Sequence, residues 1–284
     1  MNLAASPAAA PALRYPRVLS IAGSDSGGGA GIQADLKTMA ALGCYGMTAI
    51  TALTAQNTLG VRGIHVVPTE MLHAQIDAVV EDIGVDAVKV GMLGAAETVR
   101  AVAAAIDRHA LSCVVLDPVM VATSGARLID EEAVAVLVRE LFPRARLVTP
   151  NLDEAALLVG RALRSEADMH EAAEELLARG ARAVLLKGGH LPGDTVCDLL
   201  LQAGEAPLVM RSARIDTPNT HGTGCTLSSA IACELALGQP LPLAVERARD
   251  YVRGALQAGA AVRTGAGSGP LNHGWQPRVL QGRP

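Results

Sequence analysis

Several short stretches of this chain bring together residue types suited to holding phosphate groups. The clearest is Asn219-Thr220-His221-Gly222-Thr223-Gly224-Cys225-Thr226, which leads into a long helical pattern. Small residues at a helix N-terminus leave backbone N–H groups bare at the positive end of the helix dipole, and that makes an anion site. Charge developing on a transferring group is stabilised in such a place, so Gly222, Thr223 and Gly224 are candidate anion-hole residues. Thr capping of an ordinary helix is the plain alternative.

A second stretch, Ala22-Gly23-Ser24-Asp25-Ser26-Gly27-Gly28-Gly29-Ala30-Gly31, has five glycines within nine residues, Gly23 to Gly31, at a strand-to-helix switch. Glycine lets backbone approach a ligand closely, and open α/β sheets bind ligands at such switches. No Gly-Lys-Ser/Thr follows, so this is not a Walker A loop. Gly29-x-Gly31-x-x-Ala34 loosely fits a dinucleotide fingerprint, but Thr51 to Leu59 contains no acid to take the ribose.

Asp117-Pro118 and Thr149-Pro150-Asn151-Leu152-Asp153-Glu154 each end a strand. Taken singly, Asp-Pro stops strands and Asn151 caps a helix. Two acidic clusters at the same sheet end fit a Mg²⁺–nucleotide site, which uses one or two carboxylates plus waters and phosphates. Lys187, followed by Gly188-Gly189, can set a point charge on a phosphate.

The elements that must carry these residues alternate. Arg17–Ala22, Met47–Ala55, Val61–Val67, Ala87–Met92, Cys113–Leu116, Arg146–Thr149 and Ala183–Leu186 read as strands. Helices fall between most of them, over 30–42, 68–83, 95–110, 131–141, 153–159 and 166–179. This is the rhythm of βαβ units in a parallel sheet. Val196–Leu201 and Pro207–Val209 flank a Gly-containing turn, which predicts an antiparallel edge hairpin, and helices over 225–237 and 243–262 close the pattern. The expected fold is α/β, one doubly wound domain over 17–275. Residues 1–16 are Ala/Pro-rich and expected to be a disordered tail, and 276–284 are expected to be a C-terminal tail. Val121–Arg127 is a candidate mobile loop.

Composition agrees. Of 284 residues 50% are hydrophobic and 18% charged, which favours a large core. Aromatic residues are one Phe, one Trp and three Tyr, so Ala, Val, Leu and Ile must fill it. The net charge of −4, with no basic stripe, argues against a nucleic-acid partner. No apolar stretch reaches membrane-spanning length. Five widely spaced cysteines without a CxxC read as reduced thiols, which predicts a cytoplasmic protein. Only three of the 24 basic residues are Lys (Lys37, Lys89 and Lys187), so each merits inspection.

AGSDSGGGAGIQADLKT, TALTAQNT, VKVGML, DPVM, TPNLDEA, LKGGH, NTHGTGCTLSSA and GPLNH occur in this order from about Arg17 to His273. Together they resemble the hydroxymethylpyrimidine/phosphomethylpyrimidine kinases of thiamine biosynthesis, within the ribokinase-like superfamily. The resemblance implies a ribokinase-like three-layer fold, a homodimer, and two successive ATP-dependent phosphorylations of 4-amino-5-hydroxymethyl-2-methylpyrimidine. It implies that Gln56 and Asp35 read the pyrimidine edge, and that Gly23, Met92 and Val119 line its pocket. It further implies that Asp117 and Glu154 serve Mg²⁺, that Asn151, Lys187 and Thr223 contact ATP, and that Gly222 to Cys225 form the anion hole. Many related sugar kinases have Asp where Cys225 stands. A thiol of pKa about 8.5, lowered at a helix N-terminus, could take the hydroxyl proton as a thiolate, although phosphoryl transfer needs little base. Ser268 departs from the family's usual residue. Pyridoxal, pyridoxine or pyridoxamine kinase is the nearest rival. A dinucleotide-dependent oxidoreductase lacks its ribose acid, and a non-catalytic pyrimidine sensor does not need the phosphate-handling residues present here.

Overall fold

A computed structural model describes residues 13–121 and 129–283. The elements run β1 (Arg17–Asp25), α1 (Gly31–Ala41), β2 (Tyr45–Asn57), β3 (Gly60–Val66), α2 (Thr69–Asp82), β4 (Ala87–Val90), α3 (Ala96–Arg108), β5 (Val114–Leu116), α4 (Glu131–Leu141) and β6 (Leu147–Val148). They continue with α5 (Leu152–Val159), α6 (Glu166–Ala178), β7 (Ala183–Leu186), β8 (Thr195–Gln202), β9 (Leu208–Ala213), α7 (Thr223–Ala236) and α8 (Leu241–Gly259). The strands form one sheet in the order β3-β2-β1-β4-β5-β6-β7-β8-β9.

The inner strands are parallel from β2 to β7. Those from β4 to β7 are short and mostly apolar, as suits strands covered by helices on both faces. Alternate residues point to opposite layers: Leu19 and Ile21 pack with α2 to α6, while Val18 packs with α7 and α8. This is the expected three-layer α/β fold, and β8–β9 is the expected antiparallel hairpin. Two further pairings differ from the sequence reading. β2 and β3 also form an antiparallel hairpin, and β8 runs antiparallel to β7, so both sheet edges are antiparallel. The β2–β3 turn escapes a sequence reading because no Asn-Gly or Asp-Gly marks it. Instead Asn57 Oδ1 accepts from the Leu59 amide and Gly60 follows at φ 139°.

Local signals fix the helix starts near the site. Asn151 and Glu154 form a reciprocal capping box at α5, and Gly160, at φ 76°, ends that helix. The chain leaves β1 for β2 on one side, then returns past β1 to β4 on the other. The crevice at the strand C-termini therefore lies at a topological switch point, where open α/β sheets bind ligands.

Of the N-terminal stretch, residues 1–12 lie outside the described residues. The Arg14 amide bonds the Arg283 carbonyl at 2.7 Å, and the Tyr45 amide bonds the Pro16 carbonyl at 2.7 Å. Most of the candidate mobile loop, residues 122–127, is also outside the described residues. The C-terminal segment lies along α7. The Arg278 amide bonds the Ala41 carbonyl, and its guanidinium reaches the fully buried Glu234 at 2.6 Å, beside Arg247 at 3.3 Å. Because Arg278 is half-exposed and Glu234 keeps Arg247, Arg278→Ala is expected to lower stability by only about 1 kcal/mol, read as a shifted urea midpoint at unchanged slope.

Candidate active site

A cleft of about 610 Å³ opens at the C-terminal ends of the parallel strands. Gly23 reaches it from β1, Met92 from the turn after β4, and Asp117 and Val119 from beyond β5. Asn151 and Glu154 reach it from the start of α5, and Lys187 from the end of β7. Gln56 enters from β2, and Gly222 to Cys225 from the start of α7.

Two glycine-bearing loops meet at its floor. A Cβ on Gly222 would stand 1.9 Å from the Gly29 carbonyl oxygen, and Gly222 has φ 80°. A Cβ on Gly31, at φ 55°, would stand 2.3 Å from the Gly23 carbonyl oxygen. No other residue type permits these approaches. Asp25 locks the loops together. Its carboxylate accepts from the amides of Gly27, Gly29 and Ala30 at 2.8, 3.1 and 2.9 Å, and from His221 Nε2 at 2.9 Å. Burial opposes ionisation of Asp25, but the His221 and backbone hydrogen bonds outweigh it and hold the carboxyl below its ordinary range. A carboxylate only accepts, so His221 Nε2 carries the proton. The Gln56 amide nitrogen, 3.4 Å from that same ring nitrogen, therefore finds no acceptor there. The Gln56 carbonyl lies 3.2 Å from the Thr54 hydroxyl, whose proton goes to the Ser24 carbonyl at 2.9 Å, and the Gln56 amide head borders the cleft.

On the opposite side, Lys187 Nζ donates to Asp117 Oδ1 at 2.8 Å and lies 3.9 Å from Glu154 Oε2. Thr149 Oγ1 also donates to Asp117 Oδ1, at 3.0 Å. Gly224 admits this group, since a Cβ there would stand 3.2 Å from Lys187 Nζ and 3.4 Å from Asp117 Oδ2. Burial would lower the Lys187 pKa, but the charges of Asp117 and Glu154 raise it, so Lys187 is an ammonium. Burial pushes Glu154 up to about 7, with Lys187 opposing and Asp117 reinforcing the shift. Asn151 spends its side-chain carbonyl on the Glu154 amide at 2.9 Å, and Thr223 donates its hydroxyl to the Thr220 carbonyl at 2.7 Å. The cleft thus holds a cation, two carboxylates and a bare helix N-terminus within reach of one another, which is an arrangement for handling a polyphosphate.

Two residues stand otherwise than expected. Asp35 does not line the cleft. It is fully buried beneath the cleft floor, where its oxygens accept from Lys89 at 2.8 and 2.9 Å, Ser20 at 2.6 Å and Ser229 at 2.7 Å. Cys225 is not a thiolate at neutral pH. Burial pushes its thiol up to about 11, outweighing the lowering by Lys89, while Asp35 and Asp117 add to the rise. A helix N-terminus lowers a thiol pKa, but burial decides the direction here. The sequence reading also gave no role to Asp25, His221 or Lys89. Lys89 was marked by its isolation in an apolar strand; the Asp25–His221 pair, separated by 196 residues, had no such signal.

The three-layer sheet, the switch-point cleft and its phosphate-handling residues define a ribokinase-like small-molecule kinase. The phosphomethylpyrimidine kinase family model matches residues 25–272, and the chain belongs to that family. It is 53% identical over 256 residues to the hydroxymethylpyrimidine/phosphomethylpyrimidine kinase of Rhizobium meliloti, covering 90% of this chain and 96% of that one. Among solved structures it is similar to the phosphomethylpyrimidine kinase of Clostridium difficile, with TM-score 0.75 and 41% identity, covering 84% of this chain and 99% of that one. It is also similar to the pyridoxal kinase of Bacillus subtilis solved as an ADP complex, with TM-score 0.85 and 38% identity, covering 92% and 98%.

Because an added Cβ would collide with the Gly29 carbonyl, Gly222→Ala must part the two loops. A displacement near 1 Å costs about a hundredfold in rate, so kcat/KM in an ADP-release assay should fall by at least that much.

Proposed function

We propose that this protein phosphorylates the hydroxymethyl group of 4-amino-5-hydroxymethyl-2-methylpyrimidine with ATP, then phosphorylates the monophosphate to the diphosphate, as a step of thiamine biosynthesis. The observation that carries this reading is the pairing, in one cleft, of the Gln56 amide with the Lys187–Asp117–Gly224 group. The first suits a polar aminopyrimidine edge, and the second suits a phosphoryl group.

In this reading the pyrimidine lies between Gly23, Met92 and Val119. Gly23 suits the role because a side chain there would press on the Met92 methyl, at 2.6 Å. Gln56 offers its NH₂ to a ring nitrogen, and such a hydrogen bond discriminates against rings that lack the acceptor. ATP lies along Asn151, Lys187 and Thr223, with its terminal phosphate at the amides of Gly222, Thr223, Gly224 and Cys225. Lys187 neutralises phosphate charge from one side and the α7 N-terminus does so from the other. The acceptor oxygen attacks phosphorus in line as the bond to ADP breaks. In the first reaction this oxygen is a hydroxyl, and its proton passes to the oxygens of the transferred phosphoryl group as the new P–O bond forms. In the second it is a phosphate oxygen with no proton to lose. Cys225, a neutral thiol, serves both by holding the backbone in place rather than as a base.

Asp117 and Glu154 fit Mg²⁺. The described residues hold no cluster of three or more His, Cys, Asp or Glu side chains that would cage a metal alone. Mg²⁺ needs no such cage, because it binds one or two carboxylates and completes its shell with phosphate and water. When bound, it would neutralise charge on the phosphates. The exposed apolar side chains Leu53, Leu59, Ile64 and Val66 along the β2–β3 edge support a homodimer through that edge. No helix among the described residues is long and apolar enough to cross a membrane, and the free cysteines agree with a reducing, cytoplasmic setting. The kinase acts as one domain over residues 17–275.

A second reading, pyridoxal kinase activity, is favoured by the high structural similarity to the Bacillus subtilis pyridoxal kinase. ADP release with the hydroxymethylpyrimidine, its monophosphate and pyridoxal compared side by side separates the two. Turnover of both pyrimidines with the higher kcat/KM is expected. No turnover of the monophosphate would overturn the two-step reading, and a preference for pyridoxal would replace it with the second.

Glu154 gives a pH signature. Its carboxylate is present above about pH 7 and is lost to protonation below. The Mg²⁺ concentration giving half-maximal rate should therefore rise as pH falls from 8 to 6, and Glu154→Gln should flatten that dependence.

A further inference from the structure

We propose that Asp35, Lys89 and Ser229 form a positioning cluster that sets the spacing of the two helix N-termini converging on the cleft. Asp35 lies four residues after Gly31, the first residue of α1. Ser229 lies four residues after Cys225, in the first turn of α7. Four residues is about one helical turn, so each stands beneath the residue that reaches the cleft. The two helices meet at both levels. Above, Gly31 and Cys225 border the same cleft. One turn below, Ser229 Oγ donates to Asp35 Oδ1 at 2.7 Å. Lys89, from β4, bonds both Asp35 oxygens, and Ser20, from β1, bonds Oδ2.

All four side chains are fully buried. Asp35 accepts four hydrogen bonds, which fills a carboxylate's capacity and leaves none for a ligand. A buried ion pair contributes little net stability, since apolar residues of like volume often do as well. Removing one partner, in contrast, strands a charge. What the cluster supplies is a fixed geometry between two helices and two strands. That spacing governs how the α7 amides lie against the Gly29–Gly31 loop. Asp35, Lys89 and Ser229 are thus positioning residues, acting on the reaction through the backbone above them.

Ser229→Ala removes the contact between the helices and leaves a good helix former. Two readouts test it: steady-state ADP release, and the rate at which iodoacetamide labels the Cys225 peptide, followed by mass spectrometry. Labelling does not depend on which substrate the enzyme takes, so its result stands apart from the substrate assignment. Expected are a kcat lowered by about tenfold or more, KM values within about threefold of wild type, and Cys225 labelling accelerated by about tenfold as the packing of α1 on α7 loosens. The double variant Lys89→Gln/Asp35→Asn keeps donor and acceptor without charge, and Cys225 should stay as protected as in wild type. Unchanged kcat and unchanged labelling in Ser229→Ala would overturn the proposal. So would labelling of the double variant as fast as that of Ser229→Ala, which would assign the effect to charge.

Discussion

The close backbone approach of Gly222 to Gly29 is the constraint on which the site depends. It joins the loop after β1 to the loop before α7, which are separated by nearly two hundred residues of chain. Once those carbonyl and Cα atoms are in contact, the N-termini of α1 and α7 must face the same point. Two dipoles then add at one place instead of acting on separate surfaces. The Asp25–His221 hydrogen bond holds this approach from within, and the carboxylate also collects three amides of the glycine loop. A loop so rich in glycine would otherwise lose much entropy on ordering. One buried acid supplies the order that the glycines cannot.

Charge is arranged in two storeys around this joint. At cleft level Lys187 stands between Asp117 and Glu154; beneath the floor Lys89 stands on Asp35. Each cation is paired with acid, so neither storey carries a large net charge before a nucleotide arrives. The lower pair is sealed from solvent, while the upper one borders the cleft. Glu154 shows the consequence of that difference. It is held close enough to Lys187 to ionise, yet buried enough to be protonated near neutrality, so an arriving cation decides its state.

Much of the fold was legible because it follows from periodicity. Short apolar strands alternating with amphipathic helices leave few arrangements besides a parallel sheet covered on both faces. The strand ends carrying Asp117, Asn151 and Lys187 were legible for the same reason, since residues just past parallel strands share one rim. Asp35 was expected at the cleft because the resemblance carried a role to it, and a matching motif does not say which way a helix face turns. One turn separates a residue on the cleft from one locked against the next helix. Lys89 was visible as an anomaly, a lone ammonium in Ala-Val-Lys-Val, but its partner lies 54 residues away. The antiparallel β2–β3 edge was hidden because its turn uses an Asn side chain and not a two-residue glycine turn.

Cys225 shows how the surroundings decide what a position tolerates. A helix N-terminus favours negative charge, and by that argument alone an acid or a thiolate would suit it. Asp35 and Asp117 both bear on this sulfur, however, and both make ionisation harder. A carboxylate here would add another negative charge to a site already holding Asp117, Glu154 and Asp35 against two lysines. In the proposed reading it would also sit beside the negative transferring phosphoryl group. A thiol is small and stays neutral when buried. The residue at this place therefore balances the charge already present, and in the proposed reading the phosphoryl group is bound by the backbone amides around it.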